Sequence, residues 1–169
     1  VTVSLYWSFD TPFPAGQPTA APDFAVVPPW FNPSITRFTA TSNVVHLPTF
    51  AGHTGVCALV GSGTPQTASL SLKVDNDPHL DWVKIFFFQF EMFEGSSGAI
   101  ANQIAENLAQ YGRATVTESS KPLAGGWQQV TIEAQLFPQP DYEDIDWTFL
   151  EGAFGTVAID NLFVNSKCV

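Results

Sequence analysis

Apolar and polar side chains alternate in short segments along most of this sequence, and a period of two residues is typical of half-buried β-strands. The first nine residues show it most clearly, because Val1, Val3, Leu5, Trp7 and Phe9 occupy every second position. Similar segments recur about every ten residues between Gly, Pro, Asn and Asp turns. They predict strands over 35–40, 43–47, 56–60, 68–74, 113–118, 127–136, 144–150 and 156–164.

Two segments differ from this pattern. Residues 82–93 are almost continuously apolar, which predicts a central strand covered on both faces. Apolar side chains then recur at helical spacing at Ile100, Ile104, Leu108 and Tyr111. Gly112 is expected to end this helix in the left-handed conformation. About ten strands with one insertion predict an all-β fold, an antiparallel jelly-roll β-sandwich with one short helix at about 99–111.

The segment 11–33 contains seven prolines. Proline lacks a backbone N–H and fixes φ, so this density excludes a helix or a central strand. The segment is expected to be an extended connector between an N-terminal strand over 1–10 and the rest of the chain. No internal repeat or second linker is visible, and residues 1–169 are expected to form a single β-sandwich domain.

The charge balance excludes several classes of partner. Six Lys and Arg against 16 Asp and Glu give a formal net charge of −10. Such a surface repels phosphates and anionic lipid headgroups, which argues against nucleic acid and membrane surfaces as partners. No apolar stretch reaches the ~18 residues of a spanning helix, so membrane insertion is not expected. Because the chain starts at Val1 without a signal peptide, an exported protein, extracellular or at the cell surface, is expected.

The two cysteines, Cys57 and Cys168, lie 111 positions apart. No C-x-x-C motif is present, so a zinc ribbon or a thioredoxin-type motif is not predicted. One long-range disulfide between them would stabilise the fold by about 4–5 kcal/mol in the chain-entropy model. Two buried, reduced thiols are the alternative.

The two ends of the sequence resemble a known group of β-sandwiches. The segments are 125–132 (GGWQQVTI), 155–164 (GTVAIDNLFV) and Ser8-Phe9-Asp10. They resemble the opening and closing strands of jelly-roll carbohydrate-binding modules and MAM-type adhesion domains. They are also similar to exported bacterial surface proteins of the PEP-CTERM-sorted kind. The likeness covers about a third of the chain, and it implies a fold more than an activity.

This resemblance also implies a metal site. In such modules a structural Ca²⁺ commonly bridges the opening and closing strands through carboxylate and backbone oxygens. By position, the ligands here would be Asp10 and Asp160. The alternative is that both aspartates cap turns. No other cofactor is expected.

Catalytic patterns are weak in this sequence. His46, His53 and Cys57 match no metal-ligand spacing of a known motif, and Gly61-Ser62-Gly63 lacks the frame of a nucleophile elbow. Residues 141–147 are acidic, and Asp144 and Asp146 would share one face of a strand, but Thr148 stands where a third carboxylate would be needed. A charged, solvated sheet edge explains the run better. The protein is therefore not expected to be an enzyme.

Exposed aromatic rings are the candidates for glycan binding. Trp7, Trp82 and Trp127 fall in predicted strands at inward positions, whereas three other aromatic residues lie in or beside loops. The predicted glycan-binding residues are Trp30, Tyr142 and Trp147. A carbohydrate-binding module that recognises polysaccharide is thus one hypothesis for the function.

Self-association is the leading hypothesis. The alternating strand formed by Val1, Val3, Leu5, Trp7 and Phe9 could complete its own sheet or, through the Pro-rich connector, that of another copy. Head-to-tail addition does not close on itself, so it would build a filament. The protein is then a non-enzymatic structural or adhesive subunit whose main partner is itself. Its Thr-, Ser- and Pro-rich surface would also accept O-glycans at sites such as Thr11 and Thr19.

Overall fold

The chain is described by a computed structural model that covers residues 2–13, 19–29, 31–32, 36–75, 82–94, 97–138, 142–151 and 155–169. For residues 19, 97 and 142–151 only the backbone is described. The strands are β1 (Thr2–Trp7), β2 (Thr19–Ala20), β3 (Phe24–Val26), β4 (Arg37–Ala40), β5 (Val45–Phe50), β6 (His53–Val60), β7 (Gln66–Asp75), β8 (Lys84–Phe93), β9 (Arg113–Pro122), β10 (Trp127–Phe137), β11 (Tyr142–Glu151) and β12 (Thr156–Cys168). Helix α1 (Ser97–Ala109) connects β8 to β9, and a 3₁₀ turn (Ala124–Gly126) precedes β10.

Two antiparallel sheets make up the fold. The larger has the strand order β3-β1-β12-β8-β10-β9, and the β5–β6 hairpin joins it where β6 pairs with β12. The smaller has the order β11-β7-β4-β2. The chain changes sheet repeatedly, for example from β4 to β5, from β6 to β7 and from β10 to β11. The predicted all-β antiparallel fold with one inserted helix is therefore confirmed.

The two sheets enclose a large apolar core. Leu5 from the larger sheet and Leu72 from the smaller one are completely buried in the same cluster of side chains. Helix α1 adds four side chains to that cluster, those of Ile100, Ala101, Ile104 and Leu108. Full burial of each large apolar side chain stabilises the fold by about 1.5–3 kcal/mol. The helix is therefore held by the face that its apolar spacing predicts.

Strand β1 is an inner strand of its own sheet. It pairs with β12 on one side, Thr2 opposite Lys167 and Trp7 opposite Leu162, and with β3 on the other side. The predicted N-terminal strand is confirmed for residues 2–7, while Val1 lies outside the described residues. Its predicted extension to residue 10 is wrong, because the strand ends at Trp7 and Phe9 has φ +57°. Its inward side chains are buried: Val3, Leu5 and Trp7.

Two predictions about strands need correction. Strand β8 is central, between β12 and β10, but its residues alternate between buried and half-buried, so only one face is fully covered. The segment 11–33 is also more than a connector, because it contains the short strands β2 and β3 at the edges of the two sheets. Edge positions tolerate proline nearby, since one side of such a strand needs no hydrogen bonds.

The prediction for Gly112 is also wrong. The helix ends at Ala109, and Gly112 is not among the described residues that have a positive φ. A Cβ atom at Gly112 would lie 2.7 Å from the carbonyl oxygen of Phe137. Glycine is therefore needed there for close packing rather than for a left-handed turn.

Among the described residues, no helix has the length and apolar character to span a membrane.

The two cysteines are buried and are not joined by a disulfide. Cys57 lies opposite Ile159 of β12, whereas Cys168 lies nine positions further along the same strand, opposite Lys84. At about 3.3 Å per residue this places them about 30 Å apart, far beyond the ~7 Å between Cα atoms that a disulfide allows. The structure therefore contradicts the predicted bridge and agrees with its alternative. The cysteines then give no support to an oxidising environment.

Candidate binding site

Strand β12 changes its neighbour in the middle of the sheet. Residues Thr156 to Ile159 pair with β6, and residues Leu162 to Lys167 pair with β1. The pairing with β8 on the other side shifts register between Asp160 and Phe163, which is a β-bulge. The polar groups at positions 160 and 161 therefore face the gap between the ends of β1 and β6. An open cleft of about 240 Å³ lies there, lined by Ser8, Asp10, Gly52, His53, Thr54, Asp160 and Asn161.

Asn161 holds the bulge together. Its backbone is in the left-handed region with φ +51°, a conformation that asparagine tolerates better than most residues. Its side-chain oxygen accepts a hydrogen bond from the Tyr6 hydroxyl. Its amide nitrogen donates to Glu91 Oε2 at 2.9 Å and to Asp160 Oδ2 at 3.3 Å. One side chain thus links three strands at the cleft.

Asp160 is a buried carboxylate with several partners. It is only 3% exposed. Its Oδ1 accepts the backbone N–H of Asn161 at 2.7 Å, and its Oδ2 lies 2.7 Å from Nδ1 of His53. Burial raises the pKa of Asp160, and the hydrogen bonds from His53 and from the Asn161 backbone oppose that rise. Glu91 Oε2 lies 3.4 Å from the same imidazole nitrogen. Two carboxylates therefore converge on one histidine.

The orientation of His53 is fixed from two sides. Ala51 and Gly52, with φ +47° and +89°, form the turn between β5 and β6, and positive φ at both central positions is the geometry of a type I′ hairpin. The imidazole ring stacks on the indole of Trp127, with centroids 4.0 Å apart and planes inclined by 21°. The Trp127 indole N–H donates to the Ala51 carbonyl at 3.1 Å. The Trp127 indole therefore contacts both the turn and the His53 imidazole, and it holds the imidazole in place.

Asp10 reaches the cleft by a close crossing of the backbone. Phe9 is buried and has φ +57°, so the chain bends sharply after β1. A Cβ atom at Gly55 would lie only 2.4 Å from the Cα of Asp10. Asp10 Oδ1 accepts a hydrogen bond from the Thr54 hydroxyl at 3.4 Å. The predicted pair, Asp10 and Asp160, thus lines one cleft.

The donors around Asp160 do not suit Ca²⁺. That ion takes six to eight oxygen ligands, whereas Asp160 Oδ2 is in contact with a ring nitrogen of His53. The groups that converge most closely are one imidazole and two carboxylates, those of His53, Glu91 and Asp160. Asp10 lines the cleft but does not belong to this group. A calcium ion bridging Asp10 and Asp160 therefore has little support from the geometry.

A second feature adjoins the cleft on the outer surface of the larger sheet. Residues opposite one another in antiparallel strands point to the same face. Five strands contribute one row formed by Val26, Ser4, Asn165, Phe87 and Glu133, and a second row formed by Phe24, Tyr6, Phe163, Gln89 and Thr131. We call these ten residues the outer face. None of the ten is buried, and Phe24 and Val26 are 57% and 55% exposed.

Side-chain contacts confirm how the outer face is arranged. The rings of Phe87 and Phe163 meet edge to face with centroids 6.2 Å apart. Two polar pairs lie beside them: Asn165 donates to Ser4 at 2.7 Å, and Gln89 donates to Thr131 at 3.3 Å. Tyr6 connects this face to the cleft through its hydrogen bond to Asn161. Aromatic rings and amide or hydroxyl groups therefore alternate across one exposed surface.

The residues predicted for glycan binding lie elsewhere. Trp30 is outside the described residues. Tyr142 and Trp147 are in β11, at the edge of the smaller sheet, where the side chains are not described. Thr11 is exposed, and the side chain of Thr19 is not described. Glycan binding and O-glycosylation at these positions therefore stay predictions.

Two features were not foreseen from the sequence: the group formed by His53, Glu91 and Asp160, and the outer face. His53 and Asp160 are 107 positions apart, and only the register of β6 on β12 brings them together. Trp127 is buried as predicted, but it packs in a small separate cluster with Val56, Ala58 and Ala158 rather than in the main core. The sequence of β8 did contain a signal for the outer face. Its odd-numbered positions mix aromatic and polar residues, as expected for a face that is not fully buried.

No family model matches the chain, and no curated protein matches it at a significant level. The resemblance to carbohydrate-binding modules and MAM-type domains therefore depends on the quoted segments alone.

Proposed function

We propose that this protein is a non-catalytic module that binds a polysaccharide on its outer face. The observation that carries the proposal is the side-by-side arrangement of aromatic and polar groups there. Tyr6, Phe87 and Phe163 are half-buried, so their rings are held by the sheet and still partly accessible. The apolar faces of sugar rings pack on such aromatic surfaces, and sugar hydroxyls exchange hydrogen bonds with amides, hydroxyls and carboxylates.

The dimensions and charge of the outer face narrow the ligand class. Four spacings between neighbouring strands separate β3 from β10, a width of about 19 Å, which accommodates several consecutive sugar rings. The chain carries a net charge of −10, and repulsion disfavours sulfated or uronic-acid polymers. A neutral polysaccharide is therefore the proposed ligand.

The proposal is tested by affinity electrophoresis and by pull-down on a panel of neutral polysaccharides, including cellulose, xylan and mixed-linkage glucan. Phe24→Ala removes an exposed ring and leaves the core untouched. The expected loss is about 1 kcal/mol, or about fivefold in affinity. The double variant Phe24→Ala/Phe163→Ala is expected to lose more than tenfold. Phe137→Ala is the control, since Phe137 is 50% exposed but lies at the far end of β10. Unchanged retention of the double variant would reject glycan binding at this face.

Self-association is a second candidate, and a different strand supports it. Strand β3 is the outermost strand of the larger sheet, and all three of its residues are exposed. An apolar edge of this kind can pair with the edge of another copy. Strand β1, by contrast, is paired on both sides within its own chain, so adding it to a neighbour would require its release. We therefore propose β3, rather than the N-terminal strand, as the element through which two copies would associate.

Light scattering after size exclusion distinguishes the two candidates. Association through β3 predicts species above the 18.4 kDa monomer, and Val26→Lys is expected to return them to monomer because a charge at the edge discourages pairing. Arg113→Lys, at the opposite edge of the same sheet in β9, is the control and is expected to change nothing. A monomer at all concentrations would reject this second candidate and leave the glycan proposal untouched.

A further inference from the structure

We infer that His53, Glu91 and Asp160 bind a divalent transition-metal ion of the Zn²⁺ class. The three side chains come from β6, β8 and β12, and one potential ligand atom of each lies within 4.8 Å of the other two. This inference is independent of the polysaccharide proposal, because it concerns the cleft rather than the outer face.

The separations of His53 Nδ1 from the two carboxylate oxygens are close to those around a small tetrahedral ion. Zinc ligands lie 2.0–2.2 Å from the metal, which places neighbouring ligand atoms about 3.3 Å apart. The separation of 3.4 Å between His53 Nδ1 and Glu91 Oε2 already has this value. The separation of 2.7 Å between His53 Nδ1 and Asp160 Oδ2 would have to widen by about 0.6 Å to reach it. A side-chain adjustment of that size leaves the strands in place.

The chemistry of the donors points in the same direction. Imidazole nitrogen suits zinc, copper, nickel and iron, while calcium and magnesium prefer oxygen alone. Three protein ligands with an adjoining cleft leave one position for water or another ligand. The cleft beside His53 and Asp160 provides that room. A divalent ion would also neutralise the repulsion between the carboxylates of Glu91 and Asp160.

The surroundings hold the three ligands in position. Trp127 supports the imidazole by stacking, and Asn161 donates to both carboxylates through one amide group. Groups that orient metal ligands in this way typically change affinity by 10- to 100-fold. The site therefore has both ligands and orienting groups, on strands whose register is fixed by the sheet.

The test is calorimetric titration of ZnCl₂ into the untagged chain after treatment with a chelator. We expect one ion per chain, a higher thermal midpoint when Zn²⁺ is present, and at least tenfold weaker binding of Ca²⁺. His53→Gln and Glu91→Gln are each expected to weaken Zn²⁺ binding more than tenfold. The matched controls, His46→Gln and Glu118→Gln, remove a histidine and an exposed carboxylate outside the group and are expected to bind Zn²⁺ normally.

Three results would overturn the inference. The first is absence of one-to-one Zn²⁺ binding by the chelator-treated chain. The second is equal binding by His53→Gln and the unaltered chain, with circular dichroism showing that both are folded. The third is a site that prefers Ca²⁺ and is lost in Asp10→Asn, which would assign the cleft to calcium instead. If His53→Gln does not fold, Glu91→Gln decides, since glutamine preserves the shape of Glu91 and can still accept from Asn161.

Discussion

Among the described glycines, Gly55 is the one where adding a methyl group is expected to lower the free energy of unfolding most. A Cβ atom there would lie 2.4 Å from the Cα of Asp10, 2.7 Å from the carbonyl oxygen of Phe9 and 2.8 Å from the amide nitrogen of Asp10. All three are backbone atoms, so no side-chain rotation relieves the overlap. Gly55 also has φ +66°, which costs an L-residue about 1–2 kcal/mol by itself.

The expected destabilisation of Gly55→Ala follows from adding these two effects. The conformational cost and the displacement of the Phe9–Asp10 backbone together give about 3 kcal/mol or more. For a chain of this length, each 1 kcal/mol lowers the thermal midpoint by about 2–4 °C, so the midpoint is expected to fall by about 6–12 °C. The matched control is Gly63→Ala, because Gly63 has φ +84° but a Cβ there would meet nothing within 4 Å. It is expected to lose only about 1–2 kcal/mol.

Urea denaturation followed by circular dichroism measures both variants. The informative quantity is the difference between the two losses in free energy of unfolding, because the conformational cost is common to both. A difference of at least about 1 kcal/mol is expected. Equal losses would mean that the chain does not cross Gly55 after β1, and the description of the cleft would then be wrong.

Three further predictions concern the cysteines and the cleft. Cys57 and Cys168 should not react with a thiol reagent in the folded protein, since both are buried and burial raises the pKa of the Cys57 thiol. Both should react in denaturant. Rapid reaction of both under native conditions would contradict their burial. Trp127→Phe should lower the free energy of unfolding by about 1–2 kcal/mol in urea titrations, because the Ala51 carbonyl loses its donor, and an unchanged midpoint would count against that bond. Asn161→Gly should be less destabilising than Asn161→Ala. Both variants lose the side-chain hydrogen bonds, but only glycine accepts φ +51° without strain. The reverse order of stability in the same assay would refute the assigned backbone conformation.

The parts of the fold that the sequence predicts are those with a local signal. Strand β1 and helix α1 each show their own period over several turns or pleats, so their type could be predicted without knowledge of any partner. Strands β2 and β3 have two and three residues, too few for a period to be visible. The two-sided burial expected for β8 was wrong because Ile85 and Phe87, although apolar, point away from the core, where they are only half-buried.

The candidate site could be predicted only in part. The resemblance placed Asp10 and Asp160 near one another, and both line the cleft. It could not reveal Glu91 or His53, because the contact between His53 and Asp160 depends on the pairing of distant strands and on a bulge that no local pattern marks. The cysteine spacing failed for the same reason, since sequence separation carries no information on which positions of β12 the two residues occupy.

The pairing of the first and last strands has a consequence for protein engineering. Thr2 lies directly opposite Lys167, so residues near the two ends of the chain are neighbours across one strand spacing of about 4.8 Å. A short peptide could join them, and new ends could be opened in the exposed turn at 62–65 to give a circular permutant with the same strand order. The same proximity would allow the sandwich to be inserted into a surface loop of another protein with little displacement of the loop's two anchor points.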